Sequence, residues 1–321
     1  MNDEALFSVS VDLDGLGCYA AIHGLAPESL GERSLRAVPE VALRRLCECF
    51  ERQGVRATFF AIGNELVIPG ASSSLSRAAQ AGHEIASHSF AHDYALSRHS
   101  QSEIERDLAQ AEAAIEAAVG QKPRGFRAPG YTLSPALLAA LRARGYAYDS
   151  SLLPSPPYYL AKALAIGLHA LTRKPSQSIL GGVGQLFAPR GAHLRSGLRE
   201  LPVGCLPLSR FPVIGTVVVG VAEPLAAWLS ARAFARSRED ALHTKHFNLE
   251  LHGIDALDDS DAGSPALARL QPGLRVPATV KLRRLEALLG RLRTLGASCT
   301  LENAATRLFS TGAPMEQGTA R

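Results

Sequence analysis

Between Phe7 and Ser151 the chain switches repeatedly between two hydrophobic periods, and this switching restricts the fold more than any other feature. FSVSVDL alternates apolar and polar residues and is rich in valine, which predicts a strand. PEVALRRLCECFERQG then places apolar residues at helical spacing, with proline near its start and glycine at its end. The alternation continues through VRATFFAI (strand), SLSRAAQAG (helix), HEIASHS (strand into loop) and SQSEIERDLAQAEAAIEAAVG, a helix with a serine cap and a glycine stop. GFRAPGY, SPALLAALRARG and YAYDSS follow as strand end, helix and strand end. Strands separated by helices of this length predict a parallel sheet, and enough of them a barrel with its functional groups at the carboxyl ends of the strands. Asp12, Asp14, His88, His92, Arg127 and Asp149 all fall at such ends.

The rhythm breaks from about 155 to 245, where SPPYYLAKALAIGLHALTRKPSQS, GGVGQLFAPRG and an apolar stretch from Phe211 to Ala235 do not repeat the earlier unit. This segment is expected to elaborate a single domain spanning 1–321. Phe211–Ala235 is read as a buried strand followed by an amphipathic helix, because Glu223 and Pro224 interrupt it before the roughly 20 apolar residues a membrane span needs. HFNLELHG, VPATVKLRRLEALLGRLRTLG and ASCTLENAA resume the pattern as strand, helix, and strand with short helix. The tail from 310 to 321 is expected to be frayed.

Composition narrows the function classes. The formal charge of +4 comes from dispersed basic residues, as in KLRRLEALLGRLR, with no clustered stripe interleaved with aromatics, so no nucleic-acid partner is expected. Five cysteines, an odd number without a Cys-x-x-Cys pair, argue against a disulfide framework and a zinc knuckle. The acidic start MNDEALFSVSVDLD runs directly into a strand pattern, so a cleaved signal peptide is not expected. The expectation is a cytoplasmic protein. A peripheral position at the inner membrane face is an alternative for the apolar segments, weaker than simple packing on the barrel.

The chemistry-bearing residues fall into two pairs. Asp12 and Asp14 flank Leu13, and the two-residue period of a strand projects both carboxylates to one side. There they repel unless a cation or a proton intervenes. His88 and His92 stand four apart, a spacing that puts both rings on one face of a helix and guarantees nothing on a loop. Together they make a two-histidine, one-carboxylate site with a carboxylate to spare, which suits Zn²⁺ or a similar divalent ion with open positions. The spare carboxylate is the base that hydrolysis needs. Separately, each pair also fits surface histidines and solvated turn carboxylates.

VDLDG, ATFFAIGNE, GHEIASHSFAH, GFRAPGY, YDSS and LELHG, in this order and spacing, resemble the NodB-type polysaccharide deacetylases (carbohydrate esterase family 4). The resemblance covers Phe7–Ser151 and Phe247–Thr306 and leaves the middle segment uncovered. It implies a distorted (β/α) barrel and metal-dependent removal of an acyl group from a sugar amide. Asp14, His88 and His92 resemble the family's metal triad and Asp12 its general base. The leucine between the two aspartates resembles the branch with intracellular peptidoglycan-deacetylase-like proteins and aminoarabinose-pathway deformylases. Arg127 resembles the arginine that pairs with and orients the base. Gly130 stands where the family often has an aromatic, with Tyr131 next; its backbone N–H could face an oxyanion. His252 looks like the general acid. Asp149 resembles the acidic residue of the fourth motif, with Leu152 where a tryptophan often stands.

The implied cofactor is one divalent ion, zinc first, with cobalt, manganese or nickel as alternatives. The implied substrate is an N-acetylated or N-formylated amino sugar, nucleotide-linked, lipid-linked or a small glycan precursor. Two other readings stay open at this point: hydrolysis of a cyclic, non-sugar amide on the same fold, and a metal-free carbohydrate-binding barrel. His83 is expected to be a structural hydrogen-bonder, and His243 and His246 to lie near the last barrel strand.

Overall fold

The computed structural model describes residues 5–171, 183–235 and 246–310. The frayed tail expected beyond 310, and His243, lie outside the described residues. Nine strands, β1 (Leu6–Asp12), β2 (Thr58–Ala61), β3 (Glu84–Ser87), β4 (Gly125–Phe126), β5 (Tyr148–Asp149), β6 (His193–Arg195), β7 (Leu198–Glu200), β8 (His246–His252) and β9 (Ala297–Ser298), form one sheet. Its order is β6-β7-β5-β4-β3-β2-β1-β8, with β9 on the lower part of β1. Every pairing is parallel except that of β6 with β7.

Helices of nine residues or more are α1 (Leu43–Arg52), α2 (Ala71–Gln80), α3 (Gln101–Val119), α4 (Pro135–Ala143), α5 (Pro156–Leu171), α6 (Glu223–Ala235), α7 (Ala278–Leu295) and α8 (Leu301–Phe309). The sequence explains their ends. Ser100 and Glu103 form a reciprocal capping box at the start of α3, and Gly120 ends it in the left-handed conformation. Ser134 accepts from Leu137 N at the start of α4, with Pro135 in its first turn.

The sheet curls. After β7 the chain runs around to β8, where Gly204 N–H donates to Asn248 O at 2.9 Å, so the two ends of the strand order approach each other. The result is a curled, largely parallel half-barrel. β1 is wholly buried, and Val9 and Val11 pack with Phe59, Leu249 and Leu251 in the main core. The other face of β1 carries Ser8, Ser10 and Asp12, all buried and polar.

One expected element is absent. The stretch read as a buried strand from Phe211 is held by a single bridge between Cys205 and Pro212 and then forms a short helix, Gly215–Val218. Its apolar residues Val213, Val218 and Val219 pack into the core from that turn and helix rather than from a strand. The helical half of the expectation holds, as α6. No helix among the described residues is long and apolar enough to cross a membrane.

Candidate active site

The carboxyl ends of β1, β3 and β8 meet at one cleft, lined by Asp12, Asp14, Tyr19, His88, Tyr94, Gly130, Tyr131, Tyr158, Lys162 and His252 among others. Asp12 closes β1 and Asp14 follows it, both buried. His88 follows β3, and the chain then turns sharply instead of entering a helix. Ser89 and His92 both have positive φ, 67° and 52°, a backbone region that non-glycine residues rarely occupy. Asp107 on α3 pins this turn by accepting from Phe90 N and Ala91 N at 2.9 and 3.0 Å. His92 N–H donates to Ser89 Oγ at 3.0 Å. The turn, not a helix, brings the two imidazoles together, 4.9 Å between ring centres.

Three atoms converge there. Asp14 Oδ1 lies 3.3 Å from His88 Nε2 and 3.4 Å from His92 Nε2, yet it is buried with no hydrogen-bond partner among the described residues. Ligands held tetrahedrally about 2.0–2.1 Å from a zinc ion stand about 3.3–3.4 Å from one another. His88 Nδ1 lies 2.8 Å from Arg127 O, which fixes that nitrogen as a donor and leaves Nε2 as the nitrogen that faces Asp14. The two imidazoles hold the Asp14 carboxyl well below the usual range against the opposing effect of burial. These donors fit a divalent ion.

Asp12 is held differently. Arg127 is completely buried, stacks over Phe60 at 4.2 Å, and donates from Nη1 to Asp12 Oδ1 at 2.6 Å. Its remaining contacts go to Ser150 O, Ser150 Oγ and Ser10 Oγ at 2.8 to 2.9 Å. The guanidinium is therefore fixed from three strands, and Asp12 is fixed through it, with Oδ2 left 3.7 Å from His88 Nε2. Asp12 and His252 are register partners on β1 and β8, so the first acid and the last histidine face the same space.

Behind His252 stands a group the motif reading passed over. Glu250 shares its strand face two residues earlier, is fully buried, accepts from Tyr131 OH, and lies 3.7 Å from His252 Nε2. Burial pushes the Glu250 carboxyl up to about 7. Burial works the other way on His252, but Glu250, Asp14 and Asp12 together raise it to about 9. Asp12, Glu250 and His252 bring donor atoms within 4.8 Å of one another. The sequence signal was available: an acid two residues before a histidine, on one face of a strand that is buried up to that histidine.

Gly130 has φ +61°, and a Cβ there would come 2.6 Å from the Tyr94 ring. The glycine that departs from the family pattern thus makes room for Tyr94. Tyr131, also at positive φ (63°), turns its hydroxyl inward to Glu250. The aromatic wall of the cleft is supplied by Tyr19, Tyr94 and Tyr158, none of which stands in a motif. Asp149 is placed elsewhere. It is the register partner of Glu200, so the two carboxyls lie side by side, buried beneath the cleft rather than lining it. Asp149 Oδ1 accepts from Ser151 Oγ at 2.5 Å, and Ser151 Oγ in turn accepts from Ala128 N at 2.8 Å, so Asp149 touches the arginine loop only at one remove. Burial and the neighbouring Asp149 push the Glu200 carboxyl well up.

Residues 37–148 match the family model described as polysaccharide deacetylase. A peptidoglycan deacetylase of Helicobacter pylori is 29% identical over 164 residues, half of this chain. Over this stretch the chain is similar to the NodB-type polysaccharide deacetylases. The match spans 54% of that relative, about half its length. Among solved structures, a Mycobacterium smegmatis protein assigned as a polysaccharide deacetylase superposes with a TM-score of 0.63 at 15% identity, over 99% of this chain and 96% of that one. A pseudoenzyme of carbohydrate esterase family 4 from Bacillus anthracis superposes at 0.50 and 11% identity, over 94% and 66%. Both show the deacetylase fold, and the second shows that this fold also carries family members named for lacking activity.

Proposed function

We propose that the chain is a metal-dependent N-deacylase that removes an acetyl or formyl group from an amino sugar, one carried by a nucleotide, a lipid or a small glycan. The observation that carries this reading is the spacing of Asp14 Oδ1 from the two imidazole nitrogens, 3.3 and 3.4 Å, with the carboxylate oxygen otherwise unpartnered. Asp14, His88 and His92 would hold the ion, zinc first among the candidates. Bound there, a divalent ion supplies Lewis acidity toward an amide carbonyl and a water molecule.

The chain's own residues supply the rest. Asp12, positioned by Arg127, takes the proton of the attacking water through Oδ2. Its partner Oδ1 is already committed to the guanidinium, so one oxygen orients and the other reacts. The amide nitrogen is a poor leaving group until protonated. His252, raised to about 9 by the surrounding acids, holds a proton for it at neutral pH. Glu250 positions that ring, and Tyr131 positions Glu250. Gly130 offers backbone rather than side chain to the developing oxyanion. Tyr19, Tyr94 and Tyr158 give the flat, hydroxyl-bearing walls on which a sugar ring can lie.

The test is direct. Purified protein is stripped with a chelator, reloaded with zinc, cobalt, manganese or nickel in turn, and incubated with N-acetyl and N-formyl amino sugars under mass-spectrometric readout. The expected result is loss of one acyl mass from a sugar only in the loaded protein. Turnover of cyclic amides but no sugar would favour the non-sugar hydrolase, and sugar binding without turnover the inactive barrel.

A further inference from the structure

Among the described residues two lysines are partly or wholly withdrawn from water, and their surroundings differ. Lys281 on α7 is 2% exposed and donates to three backbone carbonyls, Ile254 O at 2.9 Å, Gly273 O at 2.8 Å and Leu257 O. An ammonium has three N–H groups, so Lys281 is saturated. It fastens the turn that follows β8. Lys162 on α5 has one acceptor among the described residues, Gly130 O at 3.2 Å. Its other two N–H groups have no protein acceptor among the described residues, and it lines the cleft.

Its place follows from local sequence. In YYLAKAL, Tyr158 and Lys162 are four apart on α5 and share one helical face, the one that lines the cleft. Leu160 and Leu164 take the opposite side and are 64% and 67% exposed. Lys162 is the one lysine or arginine lining the cleft among the described residues. The acids of the site, Asp12, Asp14 and Glu250, sit on the strand ends, where the histidines and Arg127 engage them. No carboxylate pairs with Lys162 among the described residues. Burial without a counter-charge lowers its ammonium to about 8. A half-buried cation that lacks a counter-ion and faces a ligand cleft gains most from an anion brought by the ligand.

We infer that Lys162 is a specificity residue for an anionic group, a phosphoryl ester or a carboxylate, carried by the amino sugar whose acyl amide reacts at the Asp14–His88–His92 corner. This rests on the reading of the site as an amino-sugar N-deacylase and deepens it by naming the charge class of the substrate. A neutral glycan would leave the ammonium as it is now, with a single carbonyl.

The experiment uses metal-loaded full-length protein and three probes: N-acetylglucosamine (neutral), N-acetylglucosamine 1-phosphate (phosphoryl) and N-acetylmuramic acid (carboxylate). Binding is measured by calorimetry and turnover by mass spectrometry for the wild type, Lys162→Met and Lys162→Arg. The wild type is expected to prefer at least one anionic probe over the neutral one. Lys162→Met should weaken that probe by about tenfold to a hundredfold, the value of a charge-assisted hydrogen bond, with the neutral probe unchanged. Lys162→Arg should retain the preference, and the better of the two anionic probes identifies the group. Equal binding of charged and neutral probes by the wild type, or an equal loss of all three in Lys162→Met, overturns the inference. Discrimination in binding without turnover of any probe leaves Lys162 its role and sinks the deacylase reading instead.

Discussion

Two glutamates in this sheet face opposite circumstances. Glu84, at the amino end of β3, accepts three hydrogen bonds: from Tyr148 OH at 2.6 Å, Thr58 Oγ1 at 2.8 Å and Glu302 N at 2.9 Å. It ties β2, β3, β5 and the start of α8 into one joint. Glu250, near the carboxyl end of β8, accepts one, from Tyr131, and its Oε2 is buried without a partner among the described residues. Asp14 Oδ1 and His252 Nδ1 share that condition in the same cleft. An unsatisfied buried polar atom costs on the order of 1–3 kcal/mol, so such atoms clustered at one end of a sheet mark where stability has been given up for chemistry. One end of the sheet is a finished joint, and the other keeps buried polar atoms without partners among the described residues.

The harshest way to break this contrast is to remove the imidazoles. The double change His88→Ala and His92→Ala is expected to abolish metal retention, read by elemental analysis, and to take activity to the assay floor. Full turnover in that variant would disprove the site. Glu250→Gln comes next. It keeps an acceptor for Tyr131 but removes the charge facing His252, so kcat should fall about a hundredfold, the lower range for a general acid, with no loss of melting temperature. Glu84→Gln should behave in the opposite way. It turns an amide N–H₂ against a donor and should cost about 1–3 kcal/mol in urea unfolding, leaving kcat/KM of the surviving fold unchanged. If both glutamates moved the same observable, the division between the two ends would be wrong.

The smallest effect concerns acid. His246 begins β8 at the finished end, bonded to Ser8 Oγ at 3.0 Å, and burial holds it down to about 4. An unfolded histidine titrates near 6.5, about two to three units higher. Above that pH both states are neutral and the contribution is complete. As pH falls from about 6.5 to 4 only the unfolded chain takes the proton, so stability declines, and below about 4 the loss stops. His246→Asn should flatten the fall in melting temperature across that window by one proton's worth of slope. An unchanged slope would mean that His246 is already charged in the folded protein.

Much of this was legible in advance. The alternating periods of the first half predict the parallel sheet because helix and strand faces must both be buried, and burial follows residue spacing. Asp12, Asp14, His88, His92 and Arg127 could be singled out because each follows or ends a strand, and strand ends of a parallel sheet gather at one rim; His252 was named by the resemblance alone. Other residues gave weaker signals. Tyr94 lies two residues beyond His92, but its place against Gly130 depends on a left-handed backbone at position 130 that sequence does not announce. Asp149 looks like a rim residue by position. Its register opposite Glu200 turns it instead toward a carboxyl that arrives from β7, in the segment where the pattern had broken. For the same reason the strand expected after Phe211 became a turn and a short helix. An apolar run specifies burial without specifying which backbone will deliver it.

By itself, then, the sequence indicated the class of fold and the rim on which polar residues gather, because local periodicity is carried by each segment alone; the roles of the acids and imidazoles there were implied by the resemblance to the deacetylases. Only the tertiary structure decided which nitrogen of His88 faces Asp14, which oxygen of Asp12 is spoken for, that Glu250 backs His252, and that Lys162 reaches the cleft with one acceptor among the described residues. Those are questions of what stands opposite a group once the sheet has curled, and the answer comes from chain up to a hundred or more residues away.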